Sequence, residues 1–238
     1  CYTRAVATTP GMSLMNHLFE ISQMSKEQVL HLIHRAIEFK NSQTYPSYPQ
    51  HAVANLFYEH STRTRVSFEL AAKNLSMKVI NVDVHNSSEQ KGEVIEDTIQ
   101  TLAAMGIDYF VIRHKQERIQ EFLASKVNSI HIINAGDGIH AHPSQALLDM
   151  MTIMEQRSDV SRLKIVVLGD IRHSRVAHSF QCICQHLGVT NLVFIAPPLW
   201  QPQKIVYGEM TSDIKTGLAN ADVILCLRVQ RERLLEHE

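Results

Sequence analysis

Ser61-Thr62-Arg63-Thr64-Arg65 places three hydroxyls and two guanidiniums within five residues, directly after a short apolar run. At a strand-to-helix turn, such a segment also offers free backbone N–H groups and the positive end of the helix dipole. Together these groups match a phosphate dianion, with Arg63 able to bind it through both arms of its fork. The other reading of the same residues is a Ser/Thr helix cap with solvated arginines. Neither Gly-x-x-x-x-Gly-Lys-Ser/Thr nor Gly-x-Gly-x-x-Gly occurs, so the phosphate loops of those two types are excluded.

A second run, His142-Pro143-Ser144-Gln145, sets an imidazole just before a helix and an amide in its first turn. The imidazole could donate to a carbonyl oxygen whose charge grows during acyl transfer; a plain helix cap is the alternative. His140 with His142 suggests a metal only weakly, because no paired cysteine or carboxylate cluster accompanies it, and no metal or other cofactor is expected. Lys91 after a polar loop, Arg175 near a helix start and Arg228 near a strand end each read, taken alone, as solvated surface cations. No nucleophile–base pair stands out.

The elements that must position these residues alternate. Ser25 with Gln28 forms a capping box before apolar residues at helical spacing, and Asn41–Gln50, with two prolines, is a loop. Strand-like runs at Ala52–Tyr58, Lys78–Val84, Ile107–Arg113 and Ser129–Asn134 alternate with helical patterns at Thr64–Leu75, Glu93–Met105 and Gln116–Ser125. A further helix opens at Pro143 and runs to about Gln156. After the polar stretch Arg157–Arg162 the alternation restarts, with strands at Leu163–Leu168, Asn191–Ala196 and Asp222–Leu227 and helices at Ser174–Leu187 and Ser212–Ala219. Repeated βα units predict an α/β fold with two doubly wound parallel-sheet domains, 1–155 and 156–238. In such sheets ligands bind beyond the carboxyl ends of the strands. The strand exits carry Ser61–Arg65, Ser87–Glu93, Arg113-His114, Gly136-Asp137-Gly138 with His142, Gly169-Asp170 and Arg228-Val229-Gln230. Cations outnumber acids there, which suits a small ligand with several anionic groups.

The bulk properties narrow the class. The chain has 238 residues, with 23 Lys and Arg against 24 Asp and Glu for a formal charge of −1. That balance argues against a general nucleic-acid or acidic-membrane binder. Apolar residues make up 45%, which argues against disorder. Four cysteines, Cys1, Cys182, Cys184 and Cys226, form no disulfide framework, and Cys182 and Cys184 sit in an apolar helical run as packing residues. Cys1–Gly11 has no apolar signal core, and no run approaches the ~18 apolar residues of a membrane span. The expectation is a reduced, cytoplasmic protein.

The stretch Phe57-Tyr58-Glu59-His60-Ser61-Thr62-Arg63-Thr64-Arg65-Val66-Ser67-Phe68-Glu69 resembles the carbamoyl-phosphate signature of the transcarbamoylase family, in its aspartate-specific form. The likeness continues through Lys91-Gly92-Glu93, Arg113-His114, Asn134–Gly138, His142–Gln145, Gly169-Asp170 and Arg228-Val229-Gln230, and spans roughly residues 15–235. The resemblance implies transfer of a carbamoyl group from carbamoyl phosphate to the amino group of L-aspartate, in pyrimidine synthesis. It implies that Ser61, Thr62, Arg63 and Thr64 hold the phosphate, that Arg113, His142 and Thr64 polarise the carbonyl, and that Gln145 positions the carbamoyl group. Arg175 would take the α-carboxylate of aspartate, and Arg228 and Gln230 its side-chain carboxylate. Ser87 and Lys91 would lie on a loop reaching a neighbouring subunit's site, with Lys91 meeting both catalysis and aspartate. The implied unit is a homotrimer with shared sites, able to pair into larger assemblies.

Two departures from the family pattern stand out. His60 replaces the small residue or proline that more often precedes Ser-Thr-Arg-Thr. The family's chains also continue past the position of Glu238, with a His-Pro-x-Pro segment and a C-terminal helix, so the second domain is expected to be incomplete at its C-terminal end. An ornithine-type enzyme is the nearer alternative, but Arg228 and Lys91 would repel a cationic side chain, and Ser144 stands where such enzymes carry cysteine. A non-catalytic homologue is the other, although each phosphate-site residue of the pattern is present.

Overall fold

The computed structural model describes residues 16–84 and 94–228, so Ser87, Lys91 and Gln230 lie outside the described residues. Ser25 caps the first helix, α1 (Lys26–Ser42), by the reciprocal pair of bonds that its spacing from Gln28 predicts. Four strands follow, β1 (Ala52–Phe57), β2 (Lys78–Val82), β3 (Tyr109–His114) and β4 (His131–Asp137), joined by α2 (Thr62–Asn74), α3 (Ile95–Ala104) and α4 (Ile119–Lys126). They form one parallel sheet in the order β2-β1-β3-β4. Helix α5 (Pro143–Gln156) opens on its proline and leads to the second group. That group comprises β5 (Lys164–Leu168), α6 (Arg175–Leu187), β6 (Asn191–Ile195), β7 (Glu209–Thr211), α7 (Ile214–Leu218) and β8 (Val223–Cys226). Its sheet is parallel too, in the order β7-β6-β5-β8. The α/β class and the two doubly wound parallel sheets are as expected from the alternation.

Some boundaries differ from the sequence reading. The helix expected from Gln116 starts at Ile119, because Arg118 takes the left-handed conformation with φ +59° and breaks the run. Strand β7 was not expected; its three residues, one exposed and two half-buried, are too few to show a period.

Central β1 is buried along its whole length and reads as a near-continuous apolar run, while β2, at the edge, is half exposed. The far edge, β4, is covered by the chain near Leu18, whose N–H donates to the Ile132 carbonyl at 2.9 Å. One core cluster, with Leu56, Ile99, Phe110, Ile112 and Leu123, underlies the first sheet. A second, larger cluster surrounds Ile165, Val167, Phe180, Ile183 and Phe194. It also takes in Ile21, Met24, Val29 and Ile33 from the start of the chain and Ala146 and Met150 from α5. So although sheet membership changes between residues 137 and 164, the second core draws on the N-terminal helix. Cys184 is fully buried in that cluster and Cys182 partly so, in the packing role expected of them.

Both strand orders reverse direction once. In the first sheet the chain leaves β1 toward β2 and then crosses to β3, so the reversal lies between β1 and β3. In the second it lies between β5 and β8. Beyond the carboxyl ends of these strand pairs open the two crevices where such folds take ligands.

Candidate active site

The first crevice is flanked by Glu59 through Arg65 after β1 and by Arg113 near the end of β3. Ser61 is the N-cap of α2, yet its hydroxyl bonds the Thr64 hydroxyl at 2.9 Å instead of a backbone amide. The first helical bond runs from Arg65 N–H to the Ser61 carbonyl, so the amides of Thr62, Arg63 and Thr64 have no acceptor within the helix. Thr62 and Arg63 are exposed and Thr64 is half-buried. An anion placed here meets backbone N–H groups, hydroxyls and a helix dipole of 13 residues. A cavity of about 520 Å³ lies alongside, lined by His60, Ser61, Thr62 and Arg65 together with Asn81 and Asp83.

Arg113 sits opposite Phe57 across the β1–β3 ladder. Its Nη1 reaches the Ala135 carbonyl at 3.5 Å, and its Nε lies 3.4 Å from Glu59 Oε2. The same Glu59 oxygen accepts from Arg175 Nη1 at 2.9 Å. Arg175 is buried at the head of α6 and gives a second bond, 3.1 Å, to the Gly138 carbonyl. Glu59 therefore joins a guanidinium from each sheet. Gly136, at φ +116°, makes room for this: a Cβ there would come within 2.9 Å of the Arg175 guanidinium.

The turn after β4 is held by Asp137, which is fully buried. Its Oδ1 accepts from Asn134 Nδ2 at 2.9 Å and from Ala141 N–H at 3.0 Å, and its Oδ2 accepts from Arg118 N–H at 2.7 Å. His140 Nδ1 lies 2.8 Å from the same Oδ2. Burial by itself would raise this carboxyl, but the bonds from His140, Arg118 and Asn134 outweigh it and hold it below its ordinary value.

That turn delivers His142 to the N-cap of α5, buried, with its backbone N–H bonded to Ser179 Oγ at 2.8 Å. Burial, and then repulsion from Arg175 and Arg113, push its imidazole down to about 3. The ring is neutral at any physiological pH. Ser144 Oγ lies 3.3 Å from its Nδ1, and donation from that hydroxyl leaves the proton on Nε2, able to meet a carbonyl oxygen. One turn along α5, Gln145 Nε2 donates to Asp149 Oδ1 at 2.8 Å.

In the second crevice Gly169, at φ +134°, lets β5 approach β8, since a Cβ there would meet the Leu227 carbonyl at 3.1 Å. Arg228 follows, exposed, beyond β8.

Of the expected site residues, Ser61, Thr62, Arg63 and Thr64 stand together at the start of α2, and Arg113 and Arg175 meet at Glu59 with the neutral His142 close enough to feel both charges. Gln145 stands in the turn after His142, and Arg228 stands at the other crevice. The sequence reading gave no role to Glu59, although it lies within the Phe57–Glu69 stretch; an acid among strand-exit cations was the available signal. Asp149 was also missed, as a polar residue one turn beyond an assigned amide. Among the described residues, no group of three or more His, Cys, Asp or Glu is placed to hold a metal ion, and no helix is long and apolar enough to cross a membrane.

Comparison with known proteins gives the family. Residues 16–155 match the family described as aspartate/ornithine carbamoyltransferase, carbamoyl-P binding domain. The chain is 61% identical over 225 residues to the aspartate carbamoyltransferase catalytic subunit of Legionella pneumophila (strain Corby), covering 94% of this chain and 76% of that one. Its counterpart in Coxiella burnetii (strain Dugway 5J108-111) is 41% identical over 225 residues, covering 91% of this chain and 72% of that one. The Trypanosoma cruzi aspartate transcarbamoylase bound to carbamoyl phosphate and aspartate superimposes with a TM-score of 0.81 at 29% identity, covering 92% of this chain and 74% of that one. With residues 16–155 matching the family's carbamoyl-P binding domain and a relative 61% identical over 94% of the chain, the chain belongs to the aspartate/ornithine carbamoyltransferase family.

Proposed function

We propose that the chain transfers the carbamoyl group of carbamoyl phosphate to the amino group of L-aspartate, giving N-carbamoyl-L-aspartate and phosphate, a step of pyrimidine synthesis. The observation that carries this reading is His142, buried and neutral at the start of α5, with two guanidiniums near enough to depress its protonation. An imidazole held this far below its ordinary value is a weak base, so its N–H can donate to a carbonyl without the ring taking the attacking amine's proton.

The aspartate amine attacks the carbamoyl carbon, and the C–N bond forms as the C=O π electrons move onto oxygen. Arg113, His142 and Thr64 stabilise that oxyanion. The oxyanion then collapses, the C–O bond to phosphate breaks, and the leaving phosphate accepts the amine's proton. Ser61, Thr62, Arg63 and Thr64 hold the phosphate, and Gln145 aligns the carbamoyl group. Arg175 and Arg228, with Gln230, take the two carboxylates of aspartate, and Lys91 adds a cation to both substrates. Much of the rate comes from holding two anions at attack distance. Residues 1–155 make the carbamoyl-phosphate unit and 156–238 the aspartate unit. The assembly is a cytoplasmic homotrimer in which Ser87 and Lys91 serve the neighbouring site; the exposed apolar Val66 and Leu70 on α2 support that reading.

The test is product formation from carbamoyl phosphate with L-aspartate, run beside L-ornithine. Carbamoyl-aspartate from aspartate alone is the expected result. Product from ornithine, or from neither amine, overturns the reading.

A further inference from the structure

Gln145 and Asp149 stand one turn apart on α5, joined by the bond from Gln145 Nε2 to Asp149 Oδ1 at 2.8 Å. An amide side chain has a donor end and an acceptor end, and either can face a ligand. An ionised carboxylate only accepts, so it claims the NH2 end. The carbonyl oxygen Oε1 of Gln145 is then the end left for a ligand. The second carboxylate oxygen, Asp149 Oδ2, is buried and has no hydrogen-bond partner. Burial pushes the Asp149 carboxyl up to about 6, with the Gln145 bond drawing it back, which still leaves it mostly ionised near pH 7. A half-buried carboxylate with one buried orphan oxygen costs stability. An apolar side chain would serve the fold better on a helix whose adjacent Met150 is fully buried. A costly group kept beside a ligand-facing amide is the mark of a residue held for positioning.

We propose that Asp149 is a positioning residue that fixes Gln145 as a hydrogen-bond acceptor, so that the site selects an acyl phosphate bearing NH2 over one bearing CH3. This rests on the reading of Gln145 as the group that meets the carbamoyl moiety. Carbamoyl phosphate and acetyl phosphate share shape and charge but differ at that one substituent. Oε1 accepts from the carbamoyl NH2 and gains nothing from a methyl. Were the amide reversed, its NH2 would face the carbamoyl NH2 donor against donor, and the preference would vanish.

The experiment measures dissociation constants of carbamoyl phosphate, acetyl phosphate and inorganic phosphate by calorimetry on the wild-type protein, Asp149→Leu and the nearly isosteric Asp149→Asn. The wild type is expected to prefer carbamoyl over acetyl phosphate by about tenfold or more, the value of one well-made hydrogen bond. Asp149→Leu should bring the two within about twofold, leave inorganic phosphate affinity unchanged and leave the urea midpoint equal or higher, since the orphan oxygen is gone. Asp149→Asn, which can both give and accept, should fall between and keeps the test alive if the leucine variant does not fold. A leucine variant that retains the full preference overturns the proposal. So does one in which all three ligands weaken together, which would mark a structural role. A wild type that binds inorganic phosphate and shows no preference overturns the reading of Gln145 itself, and the proposal with it.

Discussion

Glu59, two residues beyond the end of β1, and Arg175, the first residue of α6, lie 2.9 Å apart and tie the edge of the first sheet to the head of the second sheet's first helix. The same carboxylate oxygen stands 3.4 Å from Arg113 Nε. One negative charge thus holds two guanidiniums in place before any anionic substrate arrives. Preorganised charge of this kind costs no rearrangement at the moment of reaction. Glu59→Gln should remove the charge that both arginines share and loosen the approach of the two sheets. The expected result is a loss of about 1–3 kcal/mol in urea unfolding, below the ~3–5 kcal/mol for breaking a fully buried pair because Glu59 is partly exposed. The KM for aspartate should rise more than that for carbamoyl phosphate. Equal, small changes in both would show that the bridge does not prepare the aspartate side.

Gly136→Ala should act on the same guanidinium from the opposite side. A side chain at φ +116° is strained, and its Cβ would sit 2.9 Å from Arg175 Cζ. A thermal unfolding shift equivalent to about 1–3 kcal/mol, with weakened aspartate binding, is expected. Unchanged aspartate affinity would mean that Arg175 can shift without consequence.

Arg63→Ala removes a charged partner from the start of α2. Hydrogen bonds to charged groups contribute about 1.5–3 kcal/mol, so carbamoyl phosphate should bind roughly 10–150-fold more weakly by calorimetry. Arg65, which lines the neighbouring cavity, provides the comparison: near-normal affinity in Arg63→Ala with a loss in Arg65→Ala would move the phosphate into that cavity.

Two groups, buried His142 and half-buried Asp149, should give stability opposite slopes with pH. His142 is depressed from 6.5 to about 3, mainly by burial. Its unfolded form takes a proton first, so its contribution is complete above pH 6.5 and is lost as pH falls toward 3. Asp149 is raised from 3.8 to about 6, again by burial. Its contribution is complete below 3.8 and is lost as pH rises through about 6. Urea midpoints of His142→Asn measured across pH 4–7 should lose the acid-side decline, and those of Asp149→Asn should lose the opposite one. Parallel curves for wild type and both variants would show that neither group titrates as its surroundings dictate. The carbonyl-polarising role of His142 also predicts that activity shows no break from this ring between pH 5 and 8.

If sites are shared between subunits, two inactive variants should complement each other. Lys91→Ala mixed with Arg63→Ala, dissociated and reassembled, should regain part of the wild-type activity, because some interfaces then combine two intact contributions. A mixture as inactive as its parents would place Lys91 and Arg63 in the same subunit's site.

Much of this arrangement is legible from the chain itself. The α/β alternation locates seven of the eight strands, and the capping pair Ser25 and Gln28 and the helix-opening Pro143 mark their helices. Strand exits list the chemically able residues because parallel sheets put all those exits on one edge. Other features depend on distance rather than pattern. The Glu59–Arg175 pair spans 116 positions of sequence, and nothing local marks an acid in a basic motif as a bridge. Asp149 reads as the polar face of an amphipathic helix; only its burial and its orphan oxygen set it apart. Strand β7 escapes because three residues carry no period.

The sharing of α1 with the second core has a consequence for how the chain is made. Val29 and Ile33 leave the ribosome well before Phe180 and Phe194, which share their core cluster. At about 5–20 residues per second, the nascent chain must wait on the order of ten seconds between the two. Through that interval the first sheet and then α5 can assemble, while the part of the α1 stripe that meets α6 and the second sheet stays uncovered. Any chaperone or aggregation partner that reads exposed aliphatic surface meets the nascent chain there first. Synonymous changes that slow translation between residues 34 and 180 therefore lengthen the exposure of a helix already made, without altering one atom of the finished protein.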